Sequence, residues 1–168
     1  TTHQQKKMDL DSVRQMREHY RNAPWFEGYF PAIAACFHAA PDRLVDLNVQ
    51  LIRSLAEALG IRTRILLASE LNLPPARGGT EVNLSICRHL GAGTYLSGIS
   101  GRDYLDVDVF QREGIAVQYQ AFHHPIYRQL HEPFLPCMSA VDLVFNYGPQ
   151  AADILCNEEA PRLQELFR

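Results

Sequence analysis

Residues 94–106, TYLSGISGRDYLD, decide how the rest of the chain is read. Thr94 to Ser97 is short and rich in strand formers, Gly98 and Gly101 bracket a small-residue loop, and Ser100 and Asp103 have the S-x-x-D spacing of a capping box. The stretch therefore predicts a strand running through a loop into the start of a helix. A helix N-terminus offers unpaired N–H groups and a positive dipole end, and Arg102 adds a full charge. Two readings fit: a phosphate or carboxylate seat made by Ser97, Gly98, Ser100, Gly101 and Arg102, or an ordinary strand-to-helix turn with a solvated arginine. No complete Walker or dinucleotide glycine pattern separates them.

Outward from this loop, periodicity predicts a βαβ arrangement. Ile115 to Phe122 alternates apolar and polar residues as a strand does, and the helical segment through Tyr104, Leu105 and Phe110 ends at Gly114. On the other side, Thr80 is the expected cap of a helix carrying Val82, Leu84, Ile86, Cys87 and Leu90 and closed by Gly91. Thr63 to Ala68, TRILLA, is a compact apolar run expected to be a buried strand, with Ser69 and Glu70 at its ligand-prone C-terminal end. Strands and helices in alternation predict an α/β domain, Rossmann-like, with a small, mainly parallel sheet flanked by helices.

Two amphipathic helices precede the sheet, one over Asp9–Asn22 and a clearer one over Asp42–Leu59 with Leu44, Leu47, Leu51, Leu55 and Leu59 on one face, widened by Ile52 and ended by Gly60. Between them WFEGYF places Trp25, Phe26, Tyr29 and Phe30 together, a cluster read as core with Trp25 a candidate ligand platform. After the last strand, His123 and His124 precede Pro125 at a strand end, where imidazoles suit acid–base chemistry, and His131 is near enough in sequence to join them. Ser139 and Asp142 repeat the capping-box spacing ahead of Leu143, Val144 and Phe145, and the helix is expected to stop over Asn146 to Pro149. Asp142 is read most simply as a capping carboxylate. The tail from Ala151, with Ile154, Leu155, Leu163, Leu166 and Phe167 and an interrupting Pro161, is read as a docking segment.

At 168 residues the chain suits one compact domain, residues 1–168, and its 46% hydrophobic and 21% charged content is globular. A net charge of −3, with Lys6-Lys7 the densest basic cluster, gives no electrostatic case for nucleic acid. No apolar run is long enough to span a bilayer and no signal-peptide core opens the chain. Cys36, Cys87, Cys137 and Cys156 form no C-x-x-C pair and are expected to be buried free thiols in a reducing, cytoplasmic setting. No ligand spacing argues for a metal site.

Several ordered motifs resemble one family. These are LGAxTYLSGxSGRDYLD from Leu90 to Asp106, FxxxGI from Phe110 to Ile115, HPxY from His124 to Tyr127, and FLPCMSAVDLVFNYG from Phe134 to Gly148, with APWFEGYF from Ala23 and LGI from Leu59. Together they are similar to the WbqC-like family, over most of the chain from Ala23 to Ala152. The resemblance implies a bacterial protein associated with O-antigen, lipopolysaccharide or other surface-polysaccharide synthesis, and a family label of glycine transferase. It also implies an additional N-terminal segment with an HQPxxxPWxGYF-like motif on a first strand. This sequence lacks that motif, so it is expected to lack the strand and to correspond to the C-terminal part of a longer family member.

Two functions are expected on that basis. The first is transfer of an acyl or aminoacyl (glycyl) group to a sugar or nucleotide-sugar. His124 would be the general base, Asp103 or Asp106 would orient it, and Ser97, Gly98, Ser100, Gly101 and Arg102 would seat an anion. Tyr104, His123, Tyr127, Asp142 and Asn146 complete the candidate substrate-binding set. ATP and magnesium are needed only if glycine is activated on this protein. The second is a non-catalytic module that binds a nucleotide-sugar or a partner enzyme. Self-association into a homo-oligomer fits either.

Overall fold

A computed structural model of the chain describes residues 3–157, with side chains from residue 11 onward. In chain order the elements are α1 (His3–Tyr20), α2 (Phe26–His38), α3 (Leu44–Ala58), α4 (Gly79–Leu90), β1 (Thr94–Ser97), α5 (Val107–Arg112), β2 (Ala116–Tyr119), α6 (Ala140–Tyr147) and α7 (Ala151–Cys156). Single 3-10 turns occupy Ala68–Glu70, Ile99–Asp103 and Gly148–Gln150. The fold is α/β, with one two-stranded parallel sheet among the described residues. Backbone contacts divide the chain into two compact units, one formed by residues up to Thr63 and from His123 onward, the other by Arg64–Phe122.

The first unit is helical, and aromatic packing holds it. Phe26 and Phe30, both on the inner face of α2, stack at 4.4 Å, and Phe145 of α6 meets Phe26 edge-on at 5.1 Å. Val13, Ala23, Ile33 and Ala34 complete this buried cluster, with Leu51 and Leu55 of α3 packed against it. The aromatic run is therefore core, apart from Trp25. That residue is 41% exposed, its backbone N–H donates to the Phe145 carbonyl at 2.9 Å, and its ring lies where a Cβ on Gly148 would have to go. Gly148 has φ +52, so its lack of a side chain is required twice over. On α3 the expected stripe is narrower than its spacing suggests: Leu47 is buried, whereas Leu44 and Ile52 are 62% and 53% exposed. A second cluster of Tyr127, Leu143, Val144 and Ala151 receives Ile154 and Leu155. Leu163, Leu166, Phe167 and Pro161 lie outside the described residues.

The second unit contains the sheet. β1 and β2 pair in register from Thr94 opposite Ala116 to Ser97 opposite Tyr119, and α5 lies in the crossover that parallel pairing demands. The inner face carries Tyr95, Ser97, Val117 and Tyr119, and Tyr95 stacks on the fully buried Phe110 at 5.3 Å. Leu84 and Cys87 of α4 join Phe110, Leu105 and Ile115 in the core. α4 stops where expected, at Gly91 with φ +63, in the left-handed conformation that glycine tolerates best.

Three expectations change. Residues 63–67 form no strand: Thr63 to Ile65 are exposed and no described strand pairs with them. An apolar run of this length becomes a strand only where a neighbour completes its ladder. Ser69 and Glu70 consequently lie exposed in a 3-10 turn rather than at a sheet's C-terminal edge. Thr80 caps nothing, because α4 begins one residue earlier behind Gly78. Its Oγ1 instead donates to the Tyr104 carbonyl at 3.2 Å and accepts from the Asp106 N–H at 3.1 Å. The cysteines are all free, with Cys36 and Cys87 buried but Cys137 and Cys156 exposed.

Candidate functional site

The first turn of α6 builds the most polar centre of the helical unit. Ser139 is extended, and its Oγ accepts from the Val141 N–H at 3.3 Å, the N-cap that its spacing predicts. Asp142 does not complete the box by reaching back to the Ser139 N–H. Its side chain turns inward and is buried, 4% exposed. Oδ1 accepts from Tyr20 Oη at 2.9 Å and from Asn146 Nδ2 at 3.4 Å, while Oδ2 accepts from Tyr127 Oη at 2.8 Å and Gln129 Nε2 at 3.1 Å. An ionised carboxylate has about four lone-pair positions, and four donors meet them. The ion pairs of the described residues, Arg14–Asp11, Arg43–Asp46 and Arg88–Glu113, lie elsewhere. Hydrogen-bond donors alone therefore answer the buried carboxylate.

The tyrosines show the effect of this arrangement. Burial raises the hydroxyl pKa of Tyr20 and Tyr127 well above the ordinary phenol range, and the Asp142 carboxylate raises both further because it favours the protonated donor. Gln129 is equally committed: Nε2 also donates to the Leu135 carbonyl at 2.9 Å, and Oε1 accepts from the Leu135 N–H at 2.7 Å. Sequence reasoning selected Asp142, Tyr127 and Asn146 but missed Tyr20 and Gln129. Tyr20 looks like one more position in the α1 stripe, and only its partner 122 residues away reveals its role.

His124 approaches this centre from the segment before α6. It is half-buried, and its ring stacks on Tyr127 with centroids 6.3 Å apart. Its Nδ1 lies 2.8 Å from the Pro125 carbonyl. A carbonyl can only accept, so in the neutral ring the proton sits on Nδ1 and the lone pair on Nε2. A backbone oxygen thus provides one orienting contact for the ring. His123 is exposed. His131 belongs to a different contact, with its Nε2 3.1 Å from the His19 carbonyl.

In the sheet unit, the central loop is a 3-10 turn rather than a helix start. Ser100 provides no cap, Asp103 is exposed, and α5 opens only at Val107, behind Asp106. Gly-Arg inside the Ser100 box favours helix less than Ala-Val does inside the Ser139 box. Ser97 is buried and its Oγ donates to the Gly98 carbonyl at 3.0 Å. Gly101 packs so tightly on it that a Cβ there would collide with Ser97 Oγ and come within 2.9 Å of Leu105 Cδ1. Gly98, by contrast, has ordinary φ and open space. The Arg102 guanidinium lies 5.0 Å from the centroid of the Tyr119 ring, a cation–π distance. Tyr104 is 55% exposed, with its ring over Gly79.

Among the described residues no group of three or more His, Cys, Asp or Glu side chains is placed to hold a metal ion, and no helix is long and apolar enough to cross a membrane. Comparison with known proteins places these features in a family. The uncharacterized protein Rv1507c of Mycobacterium tuberculosis (strain ATCC 25618 / H37Rv) is 37% identical over 110 residues, 65% of this chain and 47% of that protein, so the chain spans about half the length of the curated relative it matches. No solved structure matches. The model of the WbqC-like protein family matches residues 1–154, a span that takes in both the Asp142 centre and the Ser97–Arg102 turn, and the chain belongs to that family.

Proposed function

We propose that the protein is a cytoplasmic transferase that moves an acyl or aminoacyl group, glycyl first among them, onto a sugar or nucleotide-sugar in bacterial surface-polysaccharide synthesis. The observation that carries this reading is the Nδ1 contact of His124 to the Pro125 carbonyl, which presents Nε2 as a base. In the step, a hydroxyl or amine of the acceptor bonds to the acyl carbon as its proton passes to Nε2, and the donor's leaving group departs with its electron pair. Tyr127, held by Asp142, keeps the imidazole ring in plane from one side. In the sheet unit, Ser97 to Arg102 retain the role of an anion seat in this proposal, with Arg102 supplying the charge. If glycine is activated on the protein, magnesium would be carried largely by the phosphates of ATP, as is usual for that ion. A binding module without turnover is the second reading.

One experiment separates them. The protein is incubated with glycine, magnesium-ATP and a panel of nucleotide-sugars, and products are followed by mass for the addition of one glycyl group. The transferase reading expects a product that His124→Ala lowers by about 10²- to 10⁴-fold while ligand affinity is kept. Ligand binding without product, or equal product from the variant, would overturn it.

A further inference from the structure

The helical unit contains a cleft of about 390 Å³, lined by neither His124 nor the Ser97–Arg102 turn, that includes Asn146 of the candidate substrate-binding set. It opens beside the residues after α1, Asn22 and Pro24, and is walled by Arg128, Gln129, Asn146 and Tyr147. Hydrogen bonds hold its walls in place. Every amide atom of Gln129 is engaged by Leu135 or Asp142. Asn146 Nδ2 donates to the Asp142 main-chain carbonyl at 2.8 Å, so the orientation of its carboxamide is set. The Arg128 backbone N–H donates to Tyr147 Oη at 3.1 Å, which fixes the main chain of Arg128 beside the aromatic ring.

Its mouth is different. Arg128 and Asn22 are exposed, and neither side chain has a hydrogen bond or ion pair among the described residues. The lining carries one cation and no anion. Asp142 lies behind it, but its two oxygens are already met by four donors. A guanidinium fork suits a carboxylate or phosphate, planar amides suit hydroxyls, and the Tyr147 and Pro24 rings offer apolar surface to the C–H face of a saturated ring. The volume lies at the small end for ligand sites, which run from about 300 to 1,000 Å³.

We infer that this cleft binds a monosaccharide bearing an anionic group, carboxylate or phosphate, with Arg128 on the anion and Asn22 and Asn146 on the hydroxyls. The inference goes beyond the transferase reading and stands without it, because it concerns binding and does not involve His124.

The test is calorimetric titration of the full chain with glucuronic acid, glucose 1-phosphate, glucose and inorganic phosphate. Binding of at least one of the two anionic sugars is expected, and which of them binds more tightly identifies the anion. Arg128→Ala should weaken it about ten- to a hundredfold, the worth of a charged hydrogen bond, and Asn22→Ala by less. Both side chains lack partners among the described residues, so an unchanged unfolding temperature confirms that the variants are folded. His124→Ala should bind as well as the wild type, whatever becomes of turnover. Four results would overturn the inference: no binding of either anionic sugar at millimolar concentration, affinity unchanged in Arg128→Ala, glucose binding as tightly as the charged sugars, or inorganic phosphate matching glucose 1-phosphate.

Discussion

Ser100–Asp103 and Ser139–Asp142 carry the same four-residue signature, one in each unit, and fold in opposite ways. At Ser139 the serine caps, an α-helix of eight residues is built on it, and the aspartate is drawn out of the cap into a buried set of donors. At Ser100 no cap forms, the turn is 3-10, and Asp103 stays in solvent. The residues just C-terminal to each box decide the outcome. Leu143, Val144 and Phe145 have a core to enter, and all three are buried, whereas of the three residues after Asp103 only Leu105 is buried, between exposed Tyr104 and Asp106. Spacing thus proposes a cap, and the burial available to the next turn determines whether a helix grows from it.

The largest expected contrast is between the aspartates. Asp142→Ala leaves the Tyr20 and Tyr127 hydroxyls without their acceptor and removes one of the two acceptors of Gln129 Nε2, and should cost about 3–5 kcal/mol in chemical denaturation. Asp103→Ala should stay within about 0.5 kcal/mol, as exposed substitutions do. Equal losses would erase the distinction between the two boxes. The glycines come next. Gly101→Ala drives a methyl into Ser97 and should cost about 1–3 kcal/mol, whereas Gly98→Ala meets open space and should change little in the same measurement. Adding Ser97→Gly to Gly101→Ala should recover part of the loss. The smallest contrast lies in the caps: Ser139→Ala should lower stability by about 1 kcal/mol, and Ser100→Ala should be silent in thermal unfolding.

Local signals carried much of this molecule. The periods of β1, β2, α3 and α4 and the glycine stops at Gly60 and Gly91 are written in neighbouring residues, and the elements end close to them. The features that escaped depend on distant partners. Residues 63–67 read as a strand, but a strand exists only where another accepts its hydrogen bonds. Asp142 read as a cap because its spacing to Ser139 is local, while the donors that claim it come from Tyr20, Tyr127 and Gln129. Within the candidate site, His124 was singled out for an expected place at a strand end, but β2 stops at Tyr119, and the ring instead stacks on Tyr127 in the segment before α6. The cleft at Arg128 was not legible, since Asn22 and Asn146 meet there only after folding.

The central claim is that a buried carboxylate held by two tyrosines anchors the helical unit. It is tested most directly by following phenolate absorbance and helical circular dichroism together as pH rises, in the wild type and in a Tyr20→Phe, Tyr127→Phe variant. Both hydroxyls titrate higher folded than unfolded, where the ordinary value is about 10. Their contribution to stability is therefore fully present below about pH 10 and is lost as pH rises through the folded values. Tyr20 and Tyr127 should ionise only as helical signal disappears, and their share of the late phase should be missing from the variant, leaving that of Tyr95, whose hydroxyl burial also raises. Ionisation of all the tyrosines near pH 10 with the helices intact would contradict the claim.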